Sequence, residues 1–206
     1  MPKVFVVDDD EAARDSLCLL VRSVGLEVET HDSAQSFLDA FDPTQPGCVL
    51  LDIRMPGMSG LDLLSRLRGE GALIPIIIIT GHGDVPMAVR ALKAGAIDFL
   101  EKPFNDQVML DCVHHALERD VQGRREEGVR LEVESSYAGL TPREKEVMAL
   151  VVIGNANKQI AEQLSISIKT VETHRANIMD KMGASSVSHL VRMSMVVQSD
   201  QVTVAE

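Results

Sequence analysis

The chain has 206 residues, of which 45% are hydrophobic and 25% are charged, a balance typical of a folded globular protein rather than a disordered one. This length is long for one small domain and comfortable for two. No apolar run approaches the length of a transmembrane helix, and the first residues enter a strand at once. The sequence therefore predicts a cytoplasmic protein without membrane association.

Charge is shared unevenly along the chain, whose formal net charge is −11. Residues 1–120 contain 10 Lys and Arg against 20 Asp and Glu, whereas residues 121–206 contain 10 against 11. The acidic first part is therefore not expected to bind nucleic acid, but the second part can do so if its basic residues gather on one face. Cys18, Cys48 and Cys112 have no paired or metal-type spacing, and we expect reduced thiols.

Short apolar strands alternate with amphipathic helices throughout the first part. The predicted strands are Val4–Val7, the segment around Val28, Val49–Asp52, Ile74–Thr80 and Ile97–Leu100. A helical pattern follows each strand, and the last one ends at Leu117. This order predicts an α/β fold with a doubly wound, five-stranded parallel sheet of the flavodoxin-like kind.

Polar side chains follow four of these predicted strands. They are Asp8 with Asp9, then Asp52, Thr80 and Lys102. The carboxyl ends of parallel strands meet at one edge of a sheet, so we expect these side chains to converge. Carboxylates this close repel unless a cation intervenes, and Mg²⁺ suits both carboxylate ligands and phosphoryl substrates. Asp52 alone is more often a turn-capping aspartate, but the whole set favours a nucleophile that attacks phosphorus.

These motifs resemble the receiver domain of bacterial two-component response regulators. The resemblance covers residues 1–120 and rests on the acidic pair at Asp8, the loop Asp52-Ile-Arg-Met-Pro-Gly-Met-Ser-Gly, Thr80-Gly and Lys102-Pro. The run from Thr80 to Phe104 is similar to the FixJ subgroup in particular. The resemblance implies a domain that receives a phosphoryl group from a sensor histidine kinase with the help of Mg²⁺.

The resemblance also implies a role for each matching residue. Asp52 matches the phosphoacceptor, Asp8 and Asp9 match metal ligands, and the backbone carbonyl of Arg54 matches the group that completes the metal shell. Thr80 and Lys102 match the hydroxyl and the ammonium that hold the phosphoryl group, and Phe99 matches the switch aromatic, with plain core as its alternative. Four histidines are interpreted as surface or helix-flanking residues: His31, His114, His115 and His189. His82 is interpreted as a solvated loop residue rather than a proton carrier.

A charged segment, residues 121–137, follows the predicted receiver. Charges of both signs dominate it, and Gly123 and Gly128 interrupt its helical pattern. A glycine inside a helix costs about 1 kcal/mol relative to alanine. We therefore expect a partly helical linker. The alternatives are a flexible linker and a continuation of the preceding helix as a charged, exposed rod.

Residues 138–206 are predicted to form an all-α domain of four helices. Thr141 caps the first helix in a capping box with Glu144, and Asn157 is expected to cap the second. A tight turn at residues 165–167 leads to a third helix from Ile168 to Met182, and a fourth helix starts near Ser186. Two short helices joined by such a turn are typical of a helix-turn-helix unit, although the third helix is only weakly basic.

The motifs Leu140-Thr-Pro-Arg-Glu, Asn157-Lys-Gln-Ile-Ala and the run from Lys169 to Met182 resemble the LuxR-type DNA-binding domain. The resemblance implies that residues 168–182 form a recognition helix in the major groove of promoter DNA. Expected phosphate contacts are Lys158, Lys169, Arg175 and Lys181, and candidates for base contacts are Thr170, Thr173 and Asn177. His174 is a further expected DNA-binding residue. Few basic residues are available per monomer, so we expect a dimer on a two-fold site.

Together these features predict a DNA-binding response regulator rather than an enzyme with an outside substrate. Phosphorylation of Asp52 is expected to favour a homodimer that binds promoter DNA and activates transcription, with RNA polymerase as a further partner. One alternative is a Mg²⁺-dependent phosphohydrolase, but such enzymes place the nucleophile after the first strand in an Asp-x-Asp-x-Thr/Val arrangement that Asp8–Ala12 lacks. A second alternative is a DNA binder with an inactive receiver, against which the intact acidic set argues.

Overall fold

A computed structural model describes residues 2–81 and 85–203, with side chains described as far as residue 197. His82 lies outside the described residues. The chain divides into two compact units, residues 1–124 and 125–206. The first unit extends beyond the predicted receiver limit at residue 120. None of the described helices is long and apolar enough to span a bilayer.

The first unit is an α/β fold around a parallel sheet of five strands, as predicted. The strands are β1 (Lys3–Val7), β2 (Glu27–His31), β3 (Gly47–Asp52), β4 (Ile76–Thr80) and β5 (Asp98–Glu101). The helices between them are α1 (Glu11–Ser23), α2 (Ala34–Ala40), α3 (Gly60–Gly69) and α4 (Val85–Lys93). The spatial order is β2-β1-β3-β4-β5, with every neighbouring pair parallel, so the carboxyl ends of all strands lie at one edge.

Helices cover both faces of this sheet. Side chains of α2, α3 and α4, such as Phe37 and Leu64, pack on one face, and side chains of α1, such as Val21, pack on the other. Every residue of β3 and β4 is buried as a result. Parallel strands covered on both faces require the continuous apolar runs that the sequence has there.

A single helix, α5 (Asp106–Ala138), occupies the rest of the first unit and all of the predicted linker. The prediction that this helix ends at Leu117 is wrong. Its start is capped by Asn105, which accepts a hydrogen bond from the Gln107 N–H at 2.8 Å. Ion pairs one turn apart, such as Arg130 with Glu127 and Glu134, offset part of the cost of the two glycines along the exposed part of the helix.

A buried carboxylate, Asp120, attaches α5 to the amino edge of the sheet. Its side chain is 1% exposed and accepts hydrogen bonds from Gly47 N–H at 3.0 Å and from Arg124 Nε at 2.9 Å. The Arg124 guanidinium also donates to the carbonyl oxygens of Pro43, Thr44 and Gln45. Every donor nitrogen of Arg124 is thus used inside the first unit, which explains why this unit extends to residue 124.

The second unit is all-α, as predicted, and contains the end of α5 with four further helices. They are α6 (Pro142–Val152), α7 (Asn157–Leu164), α8 (Ile168–Lys181) and α9 (Val187–Thr203). The predicted capping box of Thr141 and Glu144 is present at α6. The predicted cap at Asn157 is wrong, because Asn157 is the first helical residue and the Gln159 side chain accepts the Ala156 N–H instead, at 2.8 Å.

The interpretation of His31 as a surface residue is also wrong. The residue is 8% exposed at the end of β2, and its ring lies against the rings of Phe5 and Phe37. Burial lowers the pKa of its imidazole despite the nearby Glu29 carboxylate. The neutral ring therefore belongs to the core, where its backbone carbonyl also accepts the Asp8 N–H.

Candidate functional site

Three of the predicted polar residues are buried at the carboxyl edge of the sheet. Asp8 follows β1, Asp52 ends β3 and Thr80 ends β4, and their exposed fractions are 3%, 7% and 1%. Lys102 follows β5 and reaches the same edge, with its side chain 26% exposed. The strand ends therefore converge as the parallel topology requires.

One ammonium lies between two carboxylates at this edge. The Lys102 Nζ atom lies 2.6 Å from Asp8 Oδ2 and 3.3 Å from Asp52 Oδ1. The other oxygens of these carboxylates accept backbone N–H groups, from Asp10 to Asp8 at 2.9 Å and from Arg54 to Asp52 at 2.6 Å. Two carboxylates and one ammonium leave this cluster, defined here as the Asp8–Asp52–Lys102 cluster, with one surplus negative charge.

Burial and charge act in opposite directions within the cluster. Burial raises the pKa of the Asp52 carboxyl, and the Asp8 charge adds to that rise, although the Arg54 N–H and Lys102 oppose it. Burial by itself would lower the pKa of Lys102, but its hydrogen bonds and charge interactions with Asp8 and Asp52 outweigh this effect and raise it. The folded chain therefore favours the charged form of Lys102, whereas the ionised form of Asp52 costs free energy.

The donor set at this edge fits a magnesium ion better than a softer metal. Asp9 is exposed beside the buried Asp8, and all donors are hard oxygens. Among the described residues, no group of three or more His, Cys, Asp or Glu side chains is close enough to hold a metal alone. This arrangement suits Mg²⁺, which usually binds one or two carboxylates and keeps several waters.

The loop after Asp52 is fixed by a close backbone approach at Gly60. A Cβ atom at this position would lie 2.1 Å from the Asp52 carbonyl oxygen, so no other residue fits. The Gly60 N–H donates to the Ile53 carbonyl at 3.0 Å, and the Ser59 side chain caps α3. These contacts hold the loop ends together and fix where the Asp52 carboxylate lies.

Phe99 lies in β5 next to Ile78 of β4 and is half-buried against the core on the α2–α4 side. Thr80 lies two residues further along β4 than Ile78. The aromatic ring is therefore partly accessible and close in the sheet to the buried hydroxyl. This position is compatible with both a switch and a core residue.

Helices α7 and α8 of the second unit form the predicted helix-turn-helix, joined through Ser165 in the left-handed conformation with φ of 54°. The predicted DNA-contacting side chains on the outward faces are exposed: Lys158, Lys169, Thr173 and Asn177. Lys181 is exposed as well, whereas three further predicted contacts are half-buried: Thr170, His174 and Arg175. The His174 Nδ1 atom is buried and has no hydrogen-bond partner among the described residues, so only Nε2 remains for a contact with DNA.

Lys181 occupies a different position from the other predicted DNA contacts. Its Nζ atom lies 2.7 Å from the Oε2 atom of Glu144, whose side chain is 4% exposed. The hydrogen bond from Lys181, together with the N–H and hydroxyl of Thr141, lowers the pKa of Glu144 to about 2. Sequence reasoning identified Glu144 only as part of a capping box, because nothing local to α6 signals a partner on α8.

Comparison with known proteins agrees with both units. Residues 4–114 match the response regulator receiver domain, and residues 138–194 match the bacterial regulatory proteins of the luxR family. The chain belongs to the response regulators. It is 51% identical to the transcriptional regulatory protein FixJ of Azorhizobium caulinodans over 193 residues, covering 94% of this chain and 92% of that protein.

Solved structures give the same family. The response regulator StyR is 47% identical, with a TM-score of 0.82 over 94% of this chain and 98% of that chain. Full-length FixJ from B. japonicum is 44% identical, with a TM-score of 0.58 over 96% of this chain and 98% of that chain. The protein is therefore a DNA-binding response regulator with a flavodoxin-like receiver and a LuxR-type helix-turn-helix domain, and it acts in transcription regulation.

Proposed function

We propose that Asp52 is the phosphoacceptor of this response regulator and that a sensor histidine kinase is the donor. The observation that carries the proposal is the Asp8–Asp52–Lys102 cluster, in which a buried carboxylate at a sheet edge is held beside an ammonium and close to a buried hydroxyl. An Asp52 oxygen attacks the phosphorus atom as the bond to the kinase histidine breaks. The product is an acyl phosphate on Asp52.

The surrounding residues of this chain hold the transferred group. Lys102 pairs with the phosphoryl oxygens, and the Thr80 hydroxyl donates a hydrogen bond to them. Asp8, Asp9, Asp52 and the Arg54 carbonyl would hold Mg²⁺, which neutralises negative charge on the phosphoryl oxygens when bound. Lys102 already occupies Asp8 Oδ2, so divalent cation binding competes with this ion pair.

The switch in this proposal runs through Thr80 and Phe99. When Thr80 moves towards the phosphoryl group, Phe99 fills the space beside it and changes the surface of α4 and β5. Three exposed apolar side chains of α4, namely Val85, Val89 and Leu92, support this surface as a homodimer interface. To change the active fraction from 1:99 to 99:1, phosphorylation must supply about 5.5 kcal/mol.

The dimer then binds a two-fold promoter site through α8. In this proposal, Lys158, Lys169 and Arg175 contact phosphates. Thr170, Thr173, His174 and Asn177 lie towards base edges. The bound dimer promotes transcription by RNA polymerase. Exposure of Lys158, Lys169, Thr173 and Asn177 supports this arrangement.

Acetyl phosphate in place of the kinase tests the proposal directly. With Mg²⁺, we expect intact-mass spectrometry to show one added phosphoryl group on the wild-type chain and none on Asp52→Asn. Asp10→Asn is the matched control, since Asp10 caps α1 and accepts the Ala12 and Ala13 N–H groups. Labelling that persists in Asp52→Asn, or a chain whose dimer fraction in sedimentation does not rise after labelling, would contradict the proposal.

A further inference from the structure

We infer that Arg143 and Glu144, on the first turn of α6, are positioning residues that fix the recognition helix α8, and that Lys181 serves this clamp rather than a DNA phosphate. The three residues, with Thr141, are called the α6 clamp below. The inference deepens the proposed function, because it concerns how α8 is aimed at DNA.

Successive clamp residues hold the last residues of both helix-turn-helix helices. Glu144 Oε2 accepts the ammonium of Lys181, the final residue of α8, at 2.7 Å. The Arg143 guanidinium donates to the carbonyl oxygen of Leu164, the final residue of α7, and also pairs with Glu146. The angle between α7 and α8 is therefore fixed from a third helix as well as by the turn between them.

Helix dipoles favour the charges of the Glu144–Lys181 pair. Glu144 lies in the first turn of α6, where a negative charge is stabilised, and Lys181 lies at the end of α8, where a positive charge is stabilised. Arg143 satisfies a carbonyl that the end of α7 leaves without a helical partner. The Thr141 N–H, at 2.8 Å, and hydroxyl, at 3.0 Å, complete the bonds to Glu144 Oε2.

The buried carboxylate decides between the two roles of Lys181. Glu144 is 3% exposed, so withdrawing the ammonium towards a phosphate would leave a buried negative charge without its partner. Lys158, Lys169 and Lys181 are all exposed, but of the three only Lys181 forms an ion pair with a described residue. Phosphate binding therefore costs an existing interaction with a buried carboxylate at Lys181 and none at the other two lysines.

The lever arm along α8 explains why the clamp affects base recognition. Lys181 and Thr170 are separated by about 16 Å along the helix axis. A tilt of about 10° at the clamped end therefore moves Thr170 by about 3 Å, more than direct base readout tolerates. Loss of the clamp is expected to reduce discrimination between sequences more than overall attraction to DNA.

Fluorescence anisotropy on the full-length, acetyl phosphate-treated chain tests the inference. The probes are a duplex selected from a random pool by the wild-type chain and a duplex of random sequence. We expect Lys181→Met to weaken the selected duplex about tenfold more than the random duplex, with an unchanged salt dependence. Lys158→Met, the matched control, should weaken both alike and reduce the slope of log K against log salt by about 0.9.

Glu144→Gln gives the sharper result, because it removes a negative charge from the DNA-binding domain. Positioning predicts lost selectivity, whereas a purely electrostatic contribution predicts tighter binding to both duplexes. Arg143→Met, whose side chain is 36% exposed, repeats the test without touching the buried pair and should also lose selectivity at an unchanged salt slope. Far-ultraviolet circular dichroism verifies that each variant is folded.

A reduced salt slope for Lys181→Met, together with tighter binding by Glu144→Gln, would overturn the inference. Retained selectivity in Arg143→Met would do the same. A wild-type chain that selects no duplex would overturn the proposed function as well, so the two failures are distinguishable.

Discussion

Two buried carboxylates of this chain, Asp52 and Glu144, each lie beside a lysine, and their pKa values move in opposite directions. At Asp52 the ammonium is shared with Asp8 and lies 3.3 Å away, and burial raises the pKa. At Glu144 the ammonium has one carboxylate partner at 2.7 Å, Thr141 adds two further donors, and the pKa falls to about 2. The two pKa values shift in opposite directions because the two carboxylates differ in the number and distance of their donors, and not because of burial alone.

The partners of a carboxylate thus distinguish a reactive one from a structural one. A fully satisfied carboxylate is stabilised in its ionised form and contributes to the fold. A carboxylate with too few donors costs free energy in its ionised form. A cation or a phosphoryl group that provides new partners relieves this cost. Asp120 likewise has more than one donor, namely the Gly47 N–H and the Arg124 guanidinium.

The largest expected effect comes from removing the partner of a satisfied carboxylate. Arg124→Met leaves Asp120 buried without its counter-charge, and we expect the stability of the first unit to fall by about 3–5 kcal/mol. Arg119→Met, an exposed arginine on the same helix, is the control and should change stability little. Urea unfolding followed by circular dichroism measures the stability of both variants. Equal losses of stability would show that the pairing of Arg124 with Asp120 does not stabilise the first unit.

The shared ammonium should respond differently, because its removal frees oxygens for another cation. Lys102→Met is expected to bind Mg²⁺ about tenfold more tightly than the wild-type chain, a difference of about 1.4 kcal/mol. Lys3→Met makes the same charge change on β1 but at the amino edge, where Lys3 pairs with Glu29. Isothermal titration calorimetry that finds equal gains in both variants would show a general charge effect instead.

Asp52→Asn should stabilise the unphosphorylated fold by a few degrees in thermal unfolding. The raised pKa means that ionised Asp52 opposes folding at neutral pH, and Lys102 keeps Asp8 at 2.6 Å in the variant. The advantage should vanish as pH falls below the unfolded-state value of about 3.9, where Asp52 is protonated in both states. Asp15→Asn, on the exposed face of α1, serves as the control. If Asp52→Asn instead unfolds at a lower temperature than the wild-type chain, ionised Asp52 does not oppose folding.

The smallest effect concerns the acid stability of the second unit. Because the pKa of Glu144 is lowered from 4.5 to about 2, its contribution is present above pH 4.5 and is lost as pH falls towards 2. Glu144→Gln should therefore flatten the pH dependence of unfolding in this window. Tyr137, the one tyrosine of a chain without tryptophan, reports on this unit by fluorescence, since it lies against its core and under Lys145. If the pH dependence of unfolding is unchanged in Glu144→Gln, Glu144 is not its source.

The fold was predictable because its signals are local. Each apolar strand of the first unit ends in the sequence where the polar residues begin, and parallel topology then brings Asp8, Asp52, Thr80 and Lys102 to one edge. The caps at Ser59, Asn105 and Thr141 were predictable for the same reason, since a cap depends on residues within three positions.

What the sequence did not reveal depends on distant partners. Gly123 and Gly128 argue against a continuous α5, but they carry no sign of Arg124 reaching the loop at residues 43–45. Lys181 and Glu144 are separated by 37 positions, so nothing local to α8 signals this ion pair. His31 was misread because its burial depends on packing against Phe37 of the next helix.

The close approach of Gly60 to Asp52 has a consequence for engineering. Because Gly60 N–H and Ile53 carbonyl join the ends of the loop, residues 54–59 form a closed segment of fixed length, in which Met55 is buried in the core and Met58 packs against it. Such a segment is exchangeable between related chains as a cassette of equal length, provided that Gly60, the residue that caps α3 and these two apolar side chains are kept. Insertion or deletion inside it would instead shift the Asp52 carboxylate along the sheet edge.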